Sequence, residues 1–241
     1  MIYSACFVSQ EVHTIFLSNK IVDSTHNYNF SLTFKGDFHF VWECLQVVLH
    51  VFWGSSTHRG SLCNLRDVIH RVQVDKKAKV FSIGNEFVLH AFRSHLIASI
   101  CSIFNITSVS DVITHECSLQ WLEGTAESIT EKTIMPAESL DPIYAFHRSF
   151  LYAAFLYSDL HQAVRFKDGE HVVRHWKLWL QYFLGTGQNN YATEAANLIR
   201  NLQASFPKHI AYIVTHNRTV NVDGKQGHGK PIDQMLEHYN L

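Results

Sequence analysis

The sequence is poor in charged residues, and neither sign of charge is in excess. Only 17% of the 241 residues are charged, and 20 Lys and Arg residues nearly balance 21 Asp and Glu residues. This composition lacks the strongly basic field that attracts nucleic acids or membranes. With four prolines and 11 glycines, the chain also has no linker rich enough in these residues to mark a domain boundary. The 46% apolar fraction supports a packed core and excludes a disordered chain.

The cysteines lack the spacing of a disulfide framework or of a C-x-x-C zinc site. They are odd in number, lie far apart and mostly have apolar neighbours, which is typical of buried thiols in a reducing compartment: Cys6, Cys44, Cys63, Cys101 and Cys117. No signal-peptide pattern opens the chain, and the densest apolar run, residues 38–53, is shorter than the roughly 20 residues of a bilayer span. We therefore expect an intracellular protein, nuclear or cytoplasmic, that is not secreted and has no membrane partner.

Hydrophobic periodicity predicts a mainly α-helical fold with a few short strands. Residues 31–35 alternate polar and apolar side chains, which predicts a half-buried strand. Residues 38–53 are apolar on nearly every side of a helical wheel, which predicts a core helix. Apolar spacings of three and four across residues 60–206 predict about six further helices, one of them capped by Asn85. We expect short strands within residues 211–222, which begin with the β-prone run Ala-Tyr-Ile-Val.

Three carboxylates are candidate ligands for a divalent metal ion. Asp37 lies where the predicted strand meets the core helix, and Asp233 and Glu237 are four residues apart, on one side of a final predicted helix. Separated carboxylates that converge in space are the ligands that Mg²⁺ or Mn²⁺ needs for two-metal phosphoryl chemistry. The alternative is structural: Asp37 forms a turn, Asp233 caps the helix and Glu237 is a solvated surface residue. The spacing leaves both interpretations open.

A polar loop over residues 217–231 contains a false nucleotide-binding motif. Gly224–Pro231 satisfies G-x-x-x-x-G-K, but Pro231 replaces the Ser or Thr hydroxyl that holds magnesium, which excludes a phosphate-binding loop of that class. Two interpretations remain. The segment is either a plain flexible loop or a phosphate-facing element whose cations contact a nucleic-acid backbone: Arg218, Lys225, His228 and Lys230.

Histidine is abundant, with 17 residues, so a zinc-binding site has to be considered. His171 and His175 have the i, i+4 spacing that lets two imidazoles share one ion on a helix. No cysteine or carboxylate lies at a recognisable offset from them, and hydrogen-bonding or surface roles are the alternative. The neighbouring aromatic residues, at spacings of three, three and one, predict the buried face of an amphipathic helix rather than a base-stacking surface: Trp176, Trp179, Tyr182 and Phe183.

Several strings, in their order along residues 35–241, resemble the eukaryotic family catalogued as domain of unknown function 6589: Gly36–Phe40, His175–Lys177, Gly185–Glu194, Gly229–Asp233 and Glu237–Asn240. Residues 1–34 lie outside this resemblance, and residues 1 to about 30 carry no clear period. We expect a chain truncated at its C-terminus, because family members continue past residue 241.

The resemblance implies a function by analogy. Family members often look derived from mobile elements, which implies a relative of transposases with a partial ribonuclease-H-like core and a helical insertion. Asp37 would then be the second catalytic acid and Glu237 the last, while the first acid has no counterpart. The expectation is a degenerate metal-dependent nuclease or transposase fragment that acts on DNA with Mg²⁺ or Mn²⁺. The alternative is a non-catalytic helical module that binds protein or nucleic acid, so the sequence leaves open whether the chain is an enzyme, and its oligomeric state.

Overall fold

The protein is mainly α-helical, as its periodicity predicts. The computed structural model describes the backbone of residues 6–9, 12–22 and 27–35, and the backbone and side chains of residues 36–108, 118–131 and 141–239. In these ranges the elements are β1 (Cys6–Ser9), β2 (Val12–Val22), β3 (Asn27–Lys35), α1 (Asp37–Phe52), α2 (Leu62–Val68), α3 (Phe81–Ile103), α4 (Leu119–Ile129), α5 (Pro142–Arg165), α6 (Gly169–Thr186), α7 (Asn189–Arg200), a π-helical turn (Asn201–Ser205), α8 (Lys208–His216), β4 (Thr219–Val220), β5 (Lys230–Pro231) and α9 (Ile232–Tyr239).

A three-stranded antiparallel sheet precedes the helices. Its order is β1-β2-β3, and Phe16 of β2 lies opposite Phe7 of β1 and Thr33 of β3. The strand predicted at residues 31–35 is confirmed as the last part of β3. The strands β1 and β2 lie in the segment for which the sequence predicts no element. Local periodicity does not reveal them, because such a sheet is determined by pairing between strands.

Packing divides the chain into two units, residues 1–47 with 159–241 and residues 48–158. In the first unit, Phe40 of α1 stacks on Trp176 of α6 with ring centroids 3.9 Å apart. Trp179 and Phe183, also on α6, are fully buried. This arrangement confirms that the aromatic face of α6 belongs to the core, where rings of this size contribute much of the buried apolar area.

The second unit has its own aromatic core. The ring of Phe52 lies 5.5 Å from those of Phe146 and Phe150, edge to face with both. Ser61 caps α2, because its Oγ accepts the backbone N–H of Asn64 at 3.1 Å.

The helices in the described ranges do not combine the length and apolarity that crossing a bilayer requires.

The prediction of buried cysteine thiols is confirmed at two positions; Cys101 is partly exposed, and the side chains of Cys6 and Cys117 lie outside the described residues. Cys44 and Cys63 are free and buried. Burial, with a smaller contribution from the nearby Glu43 carboxylate, raises the pKa of the Cys44 thiol well above its usual value. This thiol therefore stays protonated and packs as a small apolar side chain.

Two local predictions are wrong. Residues 211–214 are helical in α8 rather than extended, and Ile210 and Val214, one turn apart, are the buried residues of that helix. The β structure in the predicted range 211–222 is limited to β4, which pairs with β5. Asn85 does not cap α3, which begins at Phe81; its Oδ1 instead accepts a hydrogen bond from Tyr157 at 2.7 Å. In both cases tertiary contacts override the local preference.

Candidate functional site

The first candidate residue, Asp37, is a buried ion-pair partner at the start of α1. Its Oδ2 accepts a hydrogen bond from Arg218 Nε at 2.8 Å, and its Oδ1 accepts one from Arg218 Nη2. Trp176 Nε1 also donates to Oδ1, at 3.1 Å. The side chains of Asp37 and Arg218 are 2% and 1% exposed. A two-pronged pair between ionised groups is strong and geometrically specific, so it ties the segment after α8 to the start of α1.

Asp233 lies in the first turn of α9 and caps α1 from outside that helix. Its Oδ2 accepts the backbone N–H of Phe38 at 3.0 Å and that of His39 at 3.3 Å. The first N–H groups of an α-helix generally find no acceptor within that helix, and a carboxylate at a helix N-terminus is favourable. A Cβ on Gly36 would lie 2.0 Å from Asp233 Oδ2, so the glycine makes room for this cap.

Glu237 follows one turn later on α9 and faces the same side chain of α1. His39 Nδ1 lies 3.2 Å from Asp233 Oδ2, and His39 Nε2 lies 3.3 Å from Glu237 Oε1. The Glu237 side chain is 40% exposed, whereas that of Asp233 is buried. The structure thus brings the three predicted metal ligands to the first turn of α1, with His39 between Asp233 and Glu237.

The predicted phosphate-facing residues divide into one buried and three exposed residues. Arg218 is buried against Asp37, so its guanidinium does not face the solvent. Lys225, His228 and Lys230 are exposed in the β4-β5 loop, residues 221–229, and at the start of β5. His228 and Lys230, together with Arg165 of α5, line a cavity of about 480 Å³.

Short polar contacts hold the β4-β5 loop in place. Arg165 Nε donates to the carbonyl of Gly227 at 2.9 Å, and Arg165 O accepts the N–H of Gly229 at 2.8 Å. Within the loop, His228 Nδ1 lies 2.7 Å from Asp223 Oδ2. Gly227 has a φ of +73°, a backbone conformation that favours glycine. The loop is therefore positioned by its own turns and by the end of α5.

A second cluster joins residues that sequence reasoning only partly found. Asp159 Oδ2, on α5, lies 2.8 Å from His171 Nε2 and 3.1 Å from His175 Nε2. The two rings stack with centroids 5.1 Å apart. Burial lowers the pKa of His175 to about 4 even though the Asp159 carboxylate raises it, so this ring is neutral at pH 7. The i, i+4 spacing identified the histidines, but the carboxylate lies on another helix, and no motif marks it.

The comparison with protein families agrees with the resemblance seen in the sequence strings. The chain matches the family of unknown function DUF6589 over residues 13–241. The protein belongs to this family. The DUF6589 match begins earlier than the residue 35 predicted from the strings, and it therefore takes in β2 and β3. No curated protein and no solved structure matches the chain.

Proposed function

We propose that this DUF6589 protein is a non-catalytic module that binds nucleic acid through phosphate contacts from the β4-β5 loop. The main support is that Asp37 forms a buried ion pair with Arg218. Asp37 is the acid on which metal-dependent catalysis would depend. The exposed cations at the loop are the second support. Such a role fits the nuclear or cytoplasmic location expected from the sequence.

The environment of Asp37 opposes a magnesium site. Mg²⁺ requires hard oxygen ligands that are free to coordinate at about 2.1 Å. Both oxygens of Asp37 already accept hydrogen bonds from Arg218, and Oδ1 also accepts one from Trp176. A buried guanidinium repels a second cation, so a metal ion would have to displace the arginine before it reached this carboxylate.

The loop offers features that suit a phosphate backbone. Lys225, His228 and Lys230 present three exposed cationic or titratable groups within six residues, and Arg165 is exposed beside them. Lys and Arg contacts of this type fix a protein on a nucleic acid without reading its sequence. Because Asp223 lies within the loop and the net charge of the chain is −1, we expect weak binding that falls steeply with salt.

Binding of a fluorescent duplex DNA, measured by anisotropy at several salt concentrations, tests the proposal. Replacing Lys225 and Lys230 with alanine should weaken binding at least fivefold and reduce the slope of log K against log salt by about 1.8, since each neutralised phosphate contributes about 0.9. The matched control replaces Lys76 and Lys77, two exposed lysines of the other unit. Absence of wild-type binding at low salt, or an equal loss in both double variants, would refute the proposal.

A second candidate function is a metal-dependent nuclease, active or degenerate. It is favoured by the meeting of Asp37, Asp233 and Glu237 at the first turn of α1, as the transposase analogy requires of its late acids. The antiparallel sheet directly before α1 also suits a partial ribonuclease-H-like core. In this proposal Mg²⁺ or Mn²⁺ would bind near Asp233 and Glu237 and supply Lewis-acid chemistry.

Plasmid nicking in Mg²⁺ or Mn²⁺ decides between an active nuclease and a protein without nuclease activity. The informative variant is Glu237→Gln, because this side chain is exposed enough to change without unfolding the protein. Glu170→Gln, an exposed carboxylate on α6, is the control. A nuclease would lose metal-dependent nicking in the first variant and keep it in the second, whereas a non-catalytic module would nick with neither metal.

A further inference from the structure

We propose that Asp159, His171 and His175 form a binding site for one divalent transition-metal ion such as Zn²⁺. In the described part of the chain, one ligand atom from each of these residues lies within 4.8 Å of the others. The site is separate from the β4-β5 loop and does not depend on the function proposed above.

The distances suit zinc after a small adjustment. Zn²⁺ binds imidazole nitrogen and carboxylate oxygen at about 2.1 Å in tetrahedral geometry, which separates neighbouring ligand atoms by about 3.4 Å. The Nε2 atoms of His171 and His175 lie 2.8 Å and 3.1 Å from Asp159 Oδ2. A shift of a few tenths of an ångström in these side chains would therefore open a coordination site.

Helix geometry orients the ligands before any metal arrives. His171 and His175 are one turn apart on α6, and their rings stack at an interplanar angle of 20°, so both Nε2 atoms point to the same side. The His175 side chain is fully buried, which restricts its rotamers. Asp168 Oδ2 lies 3.8 Å from His171 Nδ1, beyond hydrogen-bonding distance, and Asp168 Oδ1 accepts the backbone N–H of His171 at 2.9 Å.

The ligand set and its exposure favour a transition metal such as zinc over Mg²⁺ and Ca²⁺. Two imidazoles with one carboxylate suit zinc and similar borderline metals, whereas Mg²⁺ and Ca²⁺ prefer oxygen alone. The side chains of His171 and Asp159 are 31% and 32% exposed, which gives an ion an entry path and leaves room for a water molecule as the fourth ligand. A bound ion would tie the last turns of α5 to the first turns of α6.

Titration calorimetry with Zn²⁺ and absorption spectroscopy with Co²⁺ as a substitute test the site in the full chain. We expect one Zn²⁺ per chain, with affinity at least tenfold lower in Asp159→Asn and in His171→Ala. Both positions are partly exposed, so these variants should fold even if a change at the buried His175 does not. The control is His90→Ala, which removes an exposed histidine that lies 3.8 Å from a single carboxylate, Glu86.

The Co²⁺ spectrum separates this site from adventitious binding at cysteine. Nitrogen and oxygen ligands give visible bands without the intense near-ultraviolet bands that thiolate ligands add, and Asp159→Asn should abolish the visible bands. Three outcomes would overturn the proposal: no zinc binding by the wild type at micromolar concentration, unchanged affinity in both ligand variants, or a thiolate spectrum that persists in Asp159→Asn.

Discussion

Replacing Arg218 with methionine should destabilise the first unit strongly, because it leaves the Asp37 carboxylate buried with only the indole N–H of Trp176. Two hydrogen bonds between ionised groups are lost, each with a typical contribution of about 1.5 to 3 kcal/mol. Breaking a buried ion pair by removing one partner costs about 3 to 5 kcal/mol in measured cases. A loss of about 4 kcal/mol is a large share of the 5 to 15 kcal/mol that stabilises a typical domain.

Urea unfolding followed by tryptophan fluorescence measures this loss, because the buried Trp176 reports on the same site. The double variant Asp37→Leu with Arg218→Met removes both charges and should recover at least 2 kcal/mol relative to Arg218→Met alone. Arg200→Met, at an exposed arginine of α7, is the control and should change stability by less than about 0.5 kcal/mol. A loss below about 1 kcal/mol in Arg218→Met, or no recovery in the double variant, would refute the structural role of the pair.

Three further predictions concern the caps and the pH dependence. Gly36→Ala should lower the free energy of unfolding by about 2 kcal/mol, because the added Cβ would lie 2.0 Å from the buried Asp233 carboxylate; an unchanged urea midpoint would contradict this. Ser61→Ala should cost about 1 to 2 kcal/mol in thermal unfolding, because the N–H of Asn64 loses its acceptor, and an equal melting temperature would speak against the cap. Burial lowers the pKa of His161 to about 4, below its unfolded value near 6.5, so the unfolded state takes up the proton first and stability falls as the pH drops from about 6.5 towards 4. His161→Leu should reduce this acid-induced loss of unfolding free energy by up to about 3 kcal/mol in urea titrations at several pH values. An identical pH profile in the variant would contradict the assignment of the loss to His161.

Local periodicity was enough to predict most helices but not the elements that depend on distant partners. The apolar wheel of residues 38–53 predicts α1 within one residue at each end, since an all-round apolar helix can only be buried. Residues 211–214 looked β-prone, yet they are helical because Ile210 and Val214 fill the core from one helix face. Asn85 has the side chain of a helix cap, but a tyrosine 72 residues away accounts for its hydrogen bond.

The candidate site shows the same division. The sequence predicts Asp37, Asp233 and Glu237 as metal ligands, and the structure places them together. The sequence does not predict the residues that contact these carboxylates. His39 stands between two of the carboxylates, and Arg218, predicted to face phosphate in the loop, is the buried partner of Asp37. Side-chain type alone does not distinguish a cation that faces solvent from one that neutralises a buried acid.

The amino-acid sequence by itself determined the mainly helical class, the aromatic core face of α6, the family, and the residue types capable of metal or phosphate chemistry. These properties follow from periods of a few residues and from local strings, which need no knowledge of distant contacts. Only the tertiary structure decided which group each charge meets: Arg218 across 181 residues to Asp37, Asp233 across 195 residues to the first turn of α1, and Asp159 to a pair of histidines on the next helix. The physical reason is that a buried charge requires a compensating partner, and the path of the folded chain determines which partner comes within hydrogen-bonding distance.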